Sequence, residues 1–192
     1  MRIALILSLA LFGWACRAND TFRGTEMPET LIADFELQDH DGQPFKLSDQ
    51  HGKVVLFFFG YTYCPDVCPM TLSTWARVHQ ALEADTAGVK FVYVTVDPER
   101  DTPEKLKAHM SIFSEDFIGL TGSVEALRAV YAAFGVYVEK VTIAASATGY
   151  LVNHTSRMFV VDQKGVLRVL LDHAAPVDDV VHDIRLLLRS KK

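Results

Sequence analysis

Two long apolar runs stand out along the chain and predict strands that are buried on both faces. Residues 54–59 are apolar without interruption, and residues 89–96 are mostly apolar, which is typical of the central strands of a parallel sheet. The first run is followed by a polar loop and then by apolar residues at helical spacing from Leu72 to Leu82. This pattern predicts a strand, a helix and a second strand parallel to the first.

Shorter segments of alternating polarity predict two hairpins. Residues 35–37 and 45–47 lie on either side of a turn sequence at 39–42. Residues 158–161 and 166–171 flank a second turn sequence. Alternation interrupted by Gly- and Asp-containing turns is typical of antiparallel strand pairs.

Start and stop signals predict three more helices. Thr102 and Pro103 form one start signal, and Ser123 precedes an apolar stripe that Gly135 ends. The last helix follows Pro176, with apolar residues at near-ideal helical spacing. Taken in order, the elements predict an α/β protein with a thioredoxin-like fold, to which an N-terminal β-hairpin and an inserted helix are added.

Size and charge limit the domain count and the partners. A chain of 192 residues with 49% hydrophobic content can form one well-cored domain, which we place at residues 31–192. Its 19 basic and 24 acidic residues give a net charge of −5. Because this leaves no basic surface for nucleic acid, we expect proteins or metals as partners.

The N-terminus has the features of an export signal. Arg2 precedes an apolar stretch at residues 3–14, which is shorter than the ~20 residues that a bilayer span needs. Residues 1–16 are therefore interpreted as a signal sequence or lipoprotein signal, and residues 17–30 as a tether. Lipid on Cys16, cleavage near Ala18 and an uncleaved signal all stay open. We expect the domain in the cell envelope, on the exported side of the cytoplasmic membrane, anchored by this segment or by lipid on Cys16.

The cysteine motif at residues 63–69 carries the strongest chemical signal. Cys64 and Cys68 are each followed by proline, which disfavours helical geometry in the preceding residue. We therefore expect both cysteines outside the helix, with Cys68 at or near its cap and Pro69 at its first position. A thiol at a helix N-terminus ionises more readily, and the thiolate is both nucleophile and metal ligand. The motif indicates redox chemistry, a soft metal, or both.

Three separated segments resemble the signatures of the Sco/SenC family. They are Gly60-Tyr61-Thr62-Tyr63-Cys64-Pro65-Asp66-Val67-Cys68-Pro69, Val96-Asp97-Pro98-Glu99-Arg100-Asp101-Thr102-Pro103 and Tyr150-Leu151-Val152-Asn153-His154-Thr155. The resemblance implies a membrane-tethered copper protein that serves assembly of the binuclear copper centre of cytochrome c oxidase. It implies Cys64, Cys68 and His154 as copper ligands, and a place near the site for Asp97. The implied partners are the copper-bearing subunit of the oxidase, other copper chaperones and thioredoxin-like reductants.

Ligand chemistry agrees with copper without excluding zinc. Thiolates select Cu(I) and zinc, and imidazole suits copper and zinc. Structural zinc normally takes four protein ligands, whereas this chain offers three candidates. The cysteine pair could also oxidise to a disulfide, which has no thiolate to offer to Cu(I) or Cu(II).

Each site residue has a structural alternative. The cysteines could form a structural disulfide, and His154 could be an ordinary core or surface histidine. Asp97 could cap the turn that begins at Asp97-Pro98. The Ala-, Ser- and Thr-rich segment at 138–149 could be a mobile insertion that carries His154.

Three functions compete for this site. The first is a copper metallochaperone, and the second is a thiol-disulfide oxidoreductase that keeps the oxidase's copper-binding cysteines reduced. The third, a peroxiredoxin-like peroxidase, requires threonine three positions before the reactive cysteine, where this chain has Tyr61. We do not expect a conventional enzyme, although disulfide reductase activity stays open.

Overall fold

A computed structural model of the chain describes residues 21–142 and 149–190. The predicted signal at 1–16, including Cys16, lies outside the described residues, as do residues 17–20 of the predicted tether. Within the described residues, no helix is long and apolar enough to cross a membrane.

The described chain contains one large mixed sheet, one separate strand pair and four α-helices. The strands are β1 Thr25–Leu31, β2 Glu36–Asp39, β3 Pro44–Lys46, β4 Val54–Gly60, β5 Val89–Thr95, β6 Phe117–Thr121, β7 Val138–Thr142, β8 Tyr150–His154, β9 Arg157–Val161 and β10 Val166–Asp172. The helices are α1 Val67–Leu82, α2 Pro103–Ser111, α3 Val124–Phe134 and α4 Val177–Arg189, with short 3-10 helices at Ser48–Gln50 and Glu83–Gly88.

The predicted central strands form the middle of the large sheet. Its order is β1-β10-β9-β4-β5-β6-β2-β3, with β4, β5 and β6 parallel and β9 antiparallel to β4. Every residue of β4 is buried, as an uninterrupted apolar run requires. The parallel start, antiparallel β9–β10 hairpin and closing helix confirm the predicted thioredoxin-like arrangement.

Aromatic side chains of β4 show that helices cover both faces of the sheet. Phe58 contacts Trp75 of α1 with ring centroids 6.3 Å apart, whereas Phe57 and Phe59 contact Phe134 of α3 at 5.0 and 5.3 Å. Because successive side chains of a strand point to opposite faces, α1 and α3 lie on opposite sides of the sheet. The buried aromatic side chains hold β4 between these helices, and the cysteine loop follows the carboxyl end of β4.

The start signals predicted for α2 and α3 are confirmed. Thr102 and Ser123 are the N-caps, and their hydroxyls accept hydrogen bonds from the backbone N–H of Lys105 and Ala126. Gly135 ends α3 with φ 66°, a left-handed conformation that glycine adopts without steric cost.

The start of α1 differs from the prediction. The N-cap is Asp66, and the helix begins at Val67, so Cys68 lies inside the first turn and Pro69 is its third residue. Proline is tolerated there because the first N–H groups of a helix have no intrahelical acceptor. The restriction on the residue before proline is a preference, and here the helix overrides it.

Two segments expected to be irregular contain strands. Residues 25–30 of the predicted tether belong to β1, which pairs with β10. Residues 138–142 of the predicted mobile insertion form β7, which pairs with β8, and residues 143–148 lie outside the described residues. Long-range pairing, which local composition does not reveal, accounts for both differences.

Candidate metal centre

Three elements bring two sulfur atoms and one ring nitrogen together. Cys64 lies in the loop after β4, Cys68 in the first turn of α1, and His154 at the end of β8. One ligand atom from each lies within 4.8 Å of the other two. The Cys68 Sγ to His154 Nε2 distance is 3.7 Å, and both cysteines are free thiols. In the described part of the chain, these three residues are the one cluster of His, Cys, Asp or Glu side chains whose ligand atoms lie close enough to hold a metal ion.

The two thiols have opposite electrostatic surroundings. A hydrogen bond from the Cys68 thiol, helped by one from His154, lowers the pKa of Cys64 from the ordinary value of 9.0 to about 4. Burial raises the pKa of Cys68 well above the ordinary value, and the hydrogen bond to Cys64 adds to this effect. Cys64 is half-buried and Cys68 fully buried. The centre therefore holds an accessible thiolate beside an inaccessible thiol.

Hydrogen bonding and ring packing fix the His154 imidazole. Its Nδ1 lies 3.3 Å from the Thr155 carbonyl oxygen, which can accept a hydrogen bond from an Nδ1 proton. Nε2 faces Cys68 Sγ and is the nitrogen placed to bind a metal once it carries no proton. The rings of Phe58 and Tyr61 meet the imidazole edge-on, each with a centroid distance of 6.0 Å. His154 thus presents a metal-binding nitrogen toward the sulfur atoms.

Gly60 gives Cys68 and Tyr93 the space they occupy behind the centre. A Cβ at Gly60 would lie 2.6 Å from the Tyr93 hydroxyl and 2.8 Å from Cys68 Sγ. The Tyr93 hydroxyl is fully buried and has no hydrogen-bond partner among the described oxygen and nitrogen atoms. Burial and the neighbouring Cys68 sulfur raise the pKa of Tyr93 well above its ordinary value, so this tyrosine stays protonated beside the thiol.

Asp101, for which the sequence motifs indicated no role, is buried and anchors the cysteine loop. Its carboxylate accepts hydrogen bonds from the Thr62 backbone N–H at 3.1 Å, the Thr62 hydroxyl at 2.6 Å and the Thr95 hydroxyl at 2.6 Å. Burial raises the pKa of Asp101, and the Thr62 and Thr95 donors partly offset this. The sequence places an Asp at 97 and again at 101, but a local pattern does not show that Asp101 bonds to Thr62, which lies 39 positions earlier.

Asp97 is buried, but it contributes no ligand atom to the cluster of Cys64, Cys68 and His154. Its carboxylate accepts a hydrogen bond from the Tyr150 hydroxyl at 2.7 Å and forms an ion pair with Arg100. The Asp97 carbonyl also accepts the Arg100 and Asp101 backbone N–H groups, which agrees with the turn predicted there. The structure therefore gives Asp97 contacts with β8 rather than with the sulfur atoms.

Comparison with known proteins agrees with this geometry. A sequence model of the SCO1/SenC family matches residues 23–189. The SCO2-like protein of Rickettsia felis is 34% identical over 132 residues, which are 69% of this chain and 64% of the relative. The chain thus spans slightly less than two thirds of that relative's length.

Solved structures show the same fold. The apo Sco1 protein of Thermus thermophilus is 40% identical, with a TM-score of 0.79 over 89% of this chain and 99% of that one. Bradyrhizobium japonicum ScoI with copper bound is 31% identical, with a TM-score of 0.76 over 83% of this chain and 100% of that one. The copper in that relative supports the copper predicted for this chain. The family match covers nearly all the described residues, and the chain therefore belongs to the SCO1/SenC family.

Proposed function

We propose that this protein is a copper metallochaperone for assembly of the binuclear copper centre of cytochrome c oxidase. Cys64, Cys68 and His154 bind the copper. The observation that carries the proposal is the convergence of two sulfur atoms and an imidazole nitrogen within 4.8 Å. The family match and the copper held by a solved relative support the choice of metal.

The donor set suits a metal that is carried and released. Two thiolates and one neutral imidazole favour copper, and three protein ligands leave room for a ligand from a receiving protein. Cys64 is partly accessible while Cys68 is buried, so a partner would reach Cys64 first. Ligand exchange could then begin at Cys64 while Cys68 and His154 still hold the ion.

Redox state would control loading. Oxidation of the Cys64 thiolate and the Cys68 thiol to a disulfide passes two electrons and one proton to an oxidant, such as a client disulfide that takes up a second proton from water and becomes a dithiol. The disulfide offers no thiolate, so copper affinity is lost. The reduced protein would bind copper and the oxidised protein would not.

A second candidate function, reduction of disulfides in the oxidase copper subunit, is favoured by the unequal thiols. The Cys64 thiolate would attack a client disulfide to form a mixed disulfide, and Cys68 would then attack Cys64 to release the client dithiol. The low pKa of Cys64 makes it the attacking residue. This reaction needs both cysteines but gives His154 no necessary part.

We also propose a location for the protein in the cell. The segment at 1–16, or lipid on Cys16, would anchor the protein on the exported side of the cytoplasmic membrane. The folded domain proposed for 31–192 would be extended at its N-terminus by β1. A dithiol exported in this way needs a reductant, and a thioredoxin-like protein would supply the electrons.

Titration with copper separates the two functions. The reduced protein and the Cys64→Ala, Cys68→Ala and His154→Ala variants are titrated with Cu(I) against a competing chelator, and each is assayed for reduction of a model disulfide peptide. A chaperone loses high-affinity copper in all three variants. Unchanged copper affinity in His154→Ala would refute the proposed ligand set, and retained reductase activity in that variant would favour the second function.

A further inference from the structure

The strand that carries His154 is not part of the large sheet. Among the described residues, β7 and β8 form a separate two-stranded sheet. Such a hairpin is marginally stable unless it packs against other elements. The position of the His154 ring therefore depends on contacts that hold this hairpin against the rest of the domain.

A partly buried polar cluster makes such contacts at the start of β8. The Tyr150 hydroxyl donates to Asp97 Oδ1 at 2.7 Å, and Arg100 pairs with Asp97 Oδ2. Arg100 Nη1 also donates to the Tyr150 carbonyl oxygen at 3.1 Å. The guanidinium carbon lies 3.7 Å from the centroid of the Tyr150 ring, within the range of a cation–π contact.

A second link joins the same two segments at the surface. Lys140 of β7 forms an ion pair with Glu99 at 2.6 Å, and its ammonium lies 4.8 Å from the Tyr150 ring centroid. An exposed pair of this kind contributes little alone. Asp97 is different because its carboxylate is completely buried, and an unpaired buried charge is strongly destabilising.

The cluster connects the strand of His154 to the sheet edge that carries the cysteines. Asp97 follows β5, and the Val96 backbone N–H donates to the Gly60 carbonyl oxygen at the end of β4 at 2.8 Å. Tyr150 and His154 are four residues apart on β8, so their side chains lie on the same face of the strand. Fixing Tyr150 therefore limits where the imidazole can lie relative to Cys64 and Cys68.

We propose that Asp97, Arg100 and Tyr150 are positioning residues that hold His154 against the cysteine pair. This inference rests on the proposed copper function, because it assigns the cluster a role in forming the copper site. The cluster holds the imidazole in place before the metal arrives. Copper binding then avoids the cost of ordering the hairpin.

The test uses the Tyr150→Phe variant, which removes the hydroxyl but keeps the ring beside Arg100. The first measurement is NMR of the reduced, metal-free protein, in which NOEs connect the His154 ring to the rings of Phe58 and Tyr61. We expect these NOEs to weaken. The second is the Cu(I) dissociation constant, which we expect to rise by about tenfold, the equivalent of one lost charged hydrogen bond.

Two controls separate positioning from general stability. Tyr137→Phe removes the hydroxyl of an exposed tyrosine just before β7 that hydrogen bonds Glu139. Ser123→Ala removes the N-cap of α3 and costs about 1 kcal/mol of stability. We expect both variants to keep the NOEs and the copper affinity of the original protein.

A double-mutant cycle gives the decisive outcome. If Tyr150 acts through His154, Tyr150→Phe has no further effect on copper affinity in a His154→Ala background. An equal loss of affinity in both backgrounds, or unchanged NOEs in Tyr150→Phe, would overturn the proposal. A failure of the copper function itself has a different signature, because His154→Ala alone would then bind copper as the original protein does.

Discussion

Cys64 and Cys68 are separated by three residues, yet their protonation is set in opposite directions. Cys64 is stabilised as a thiolate by hydrogen bonds from Cys68, from His154 and from the backbone N–H groups of Asp66 and Cys68. The dipole at the start of α1 also favours negative charge there. Cys68 lies in the core, where burial favours the neutral thiol. One proton is therefore shared unequally by the pair, and metal binding must displace it from Cys68.

The pH dependence of Cys64 alkylation tests this asymmetry. Because the pKa of Cys64 is lowered to about 4, the thiolate is the main form above that pH. We expect its alkylation rate to stay near its plateau from pH 8 to pH 5 and to fall to half near pH 4. Site-resolved mass spectrometry of iodoacetamide-treated, reduced protein measures the rate for each cysteine separately.

The Cys68→Ala variant provides the matching control. It removes the largest cause of the lowered pKa, so the fall in Cys64 alkylation should move to higher pH. A profile for Cys64 centred near pH 9 in the original protein, or one unaffected by Cys68→Ala, would contradict the proposed hydrogen bond.

Gly60→Ala is expected to damage the centre without removing a ligand. The added methyl group would lie within 3 Å of both the Tyr93 hydroxyl and Cys68 Sγ, and such overpacking costs about 1–3 kcal/mol. We expect lower stability in chemical denaturation and weaker Cu(I) binding. Gly135→Ala is the control. It should lower the free energy of unfolding by about 1 kcal/mol, because Gly135 has a left-handed backbone, but it should leave copper affinity unchanged. Equal weakening of copper binding in both variants would point to global stability instead.

For single residues, the motifs predicted the ligand candidates but not the residues that support them. Cys64, Cys68 and His154 were found from spacing and family resemblance. The hydrogen bonds of Asp101 to Thr62 and of Tyr150 to Asp97 join residues 39 and 53 positions apart. No local pattern encodes such pairs, because the fold creates them.

Among the elements, β1 shows how a polar segment is drawn into the sheet. The backbone N–H groups of Arg23 and Gly24 donate to the buried carboxylate of Asp183 in α4, at 2.9 and 2.8 Å. These bonds fix the chain just before β1, which then pairs with β10. Most of β1 is exposed, so its composition resembles a tether although it is a sheet edge.

Asp183→Asn should loosen this edge. An amide offers one oxygen where the carboxylate offers two, so at least one donor loses its charged acceptor at a cost of about 1–3 kcal/mol. We expect lower stability and faster hydrogen exchange for the amides of β1, with little change in the exchange of β4 and β5. Asp179→Asn, which alters only the exposed pair with Arg23, is the control. Equal hydrogen-exchange rates for the β1 amides in both variants and in the original protein would show that Asp183 does not hold this edge of the sheet.

The sequence predicts best the elements that have strong local signals. The apolar runs predict β4 and β5, and the capping residues predict the starts of α2 and α3. The short strands β6, β7 and β8 lack such signals, since β6 contains Gly119 and most of β7 is exposed. Their pairing depends on partners elsewhere in the chain.

For the molecule as a whole, the topology assembles the centre from distant parts of the sequence. The parallel β4–β5 pair places the cysteine loop and the segment after β5 at one sheet edge, where open α/β sheets place their functional groups. The chain returns through β8 just before β9, which pairs with β4. The order of the elements predicted this thioredoxin-like fold. The family resemblance predicted that His154 approaches the thiols, and the distances in the structure show that it does.

X-ray absorption at the copper edge tests the ligand set most directly. Reduced protein loaded with one equivalent of Cu(I) is compared with His154→Ala and with His51→Ala. His51 is an exposed control histidine that lies just before β4, at the opposite end of that strand from the cysteine loop. We predict two sulfur ligands and one imidazole in the original protein and in His51→Ala, with the imidazole contribution lost in His154→Ala. An unchanged spectrum in His154→Ala would contradict the account.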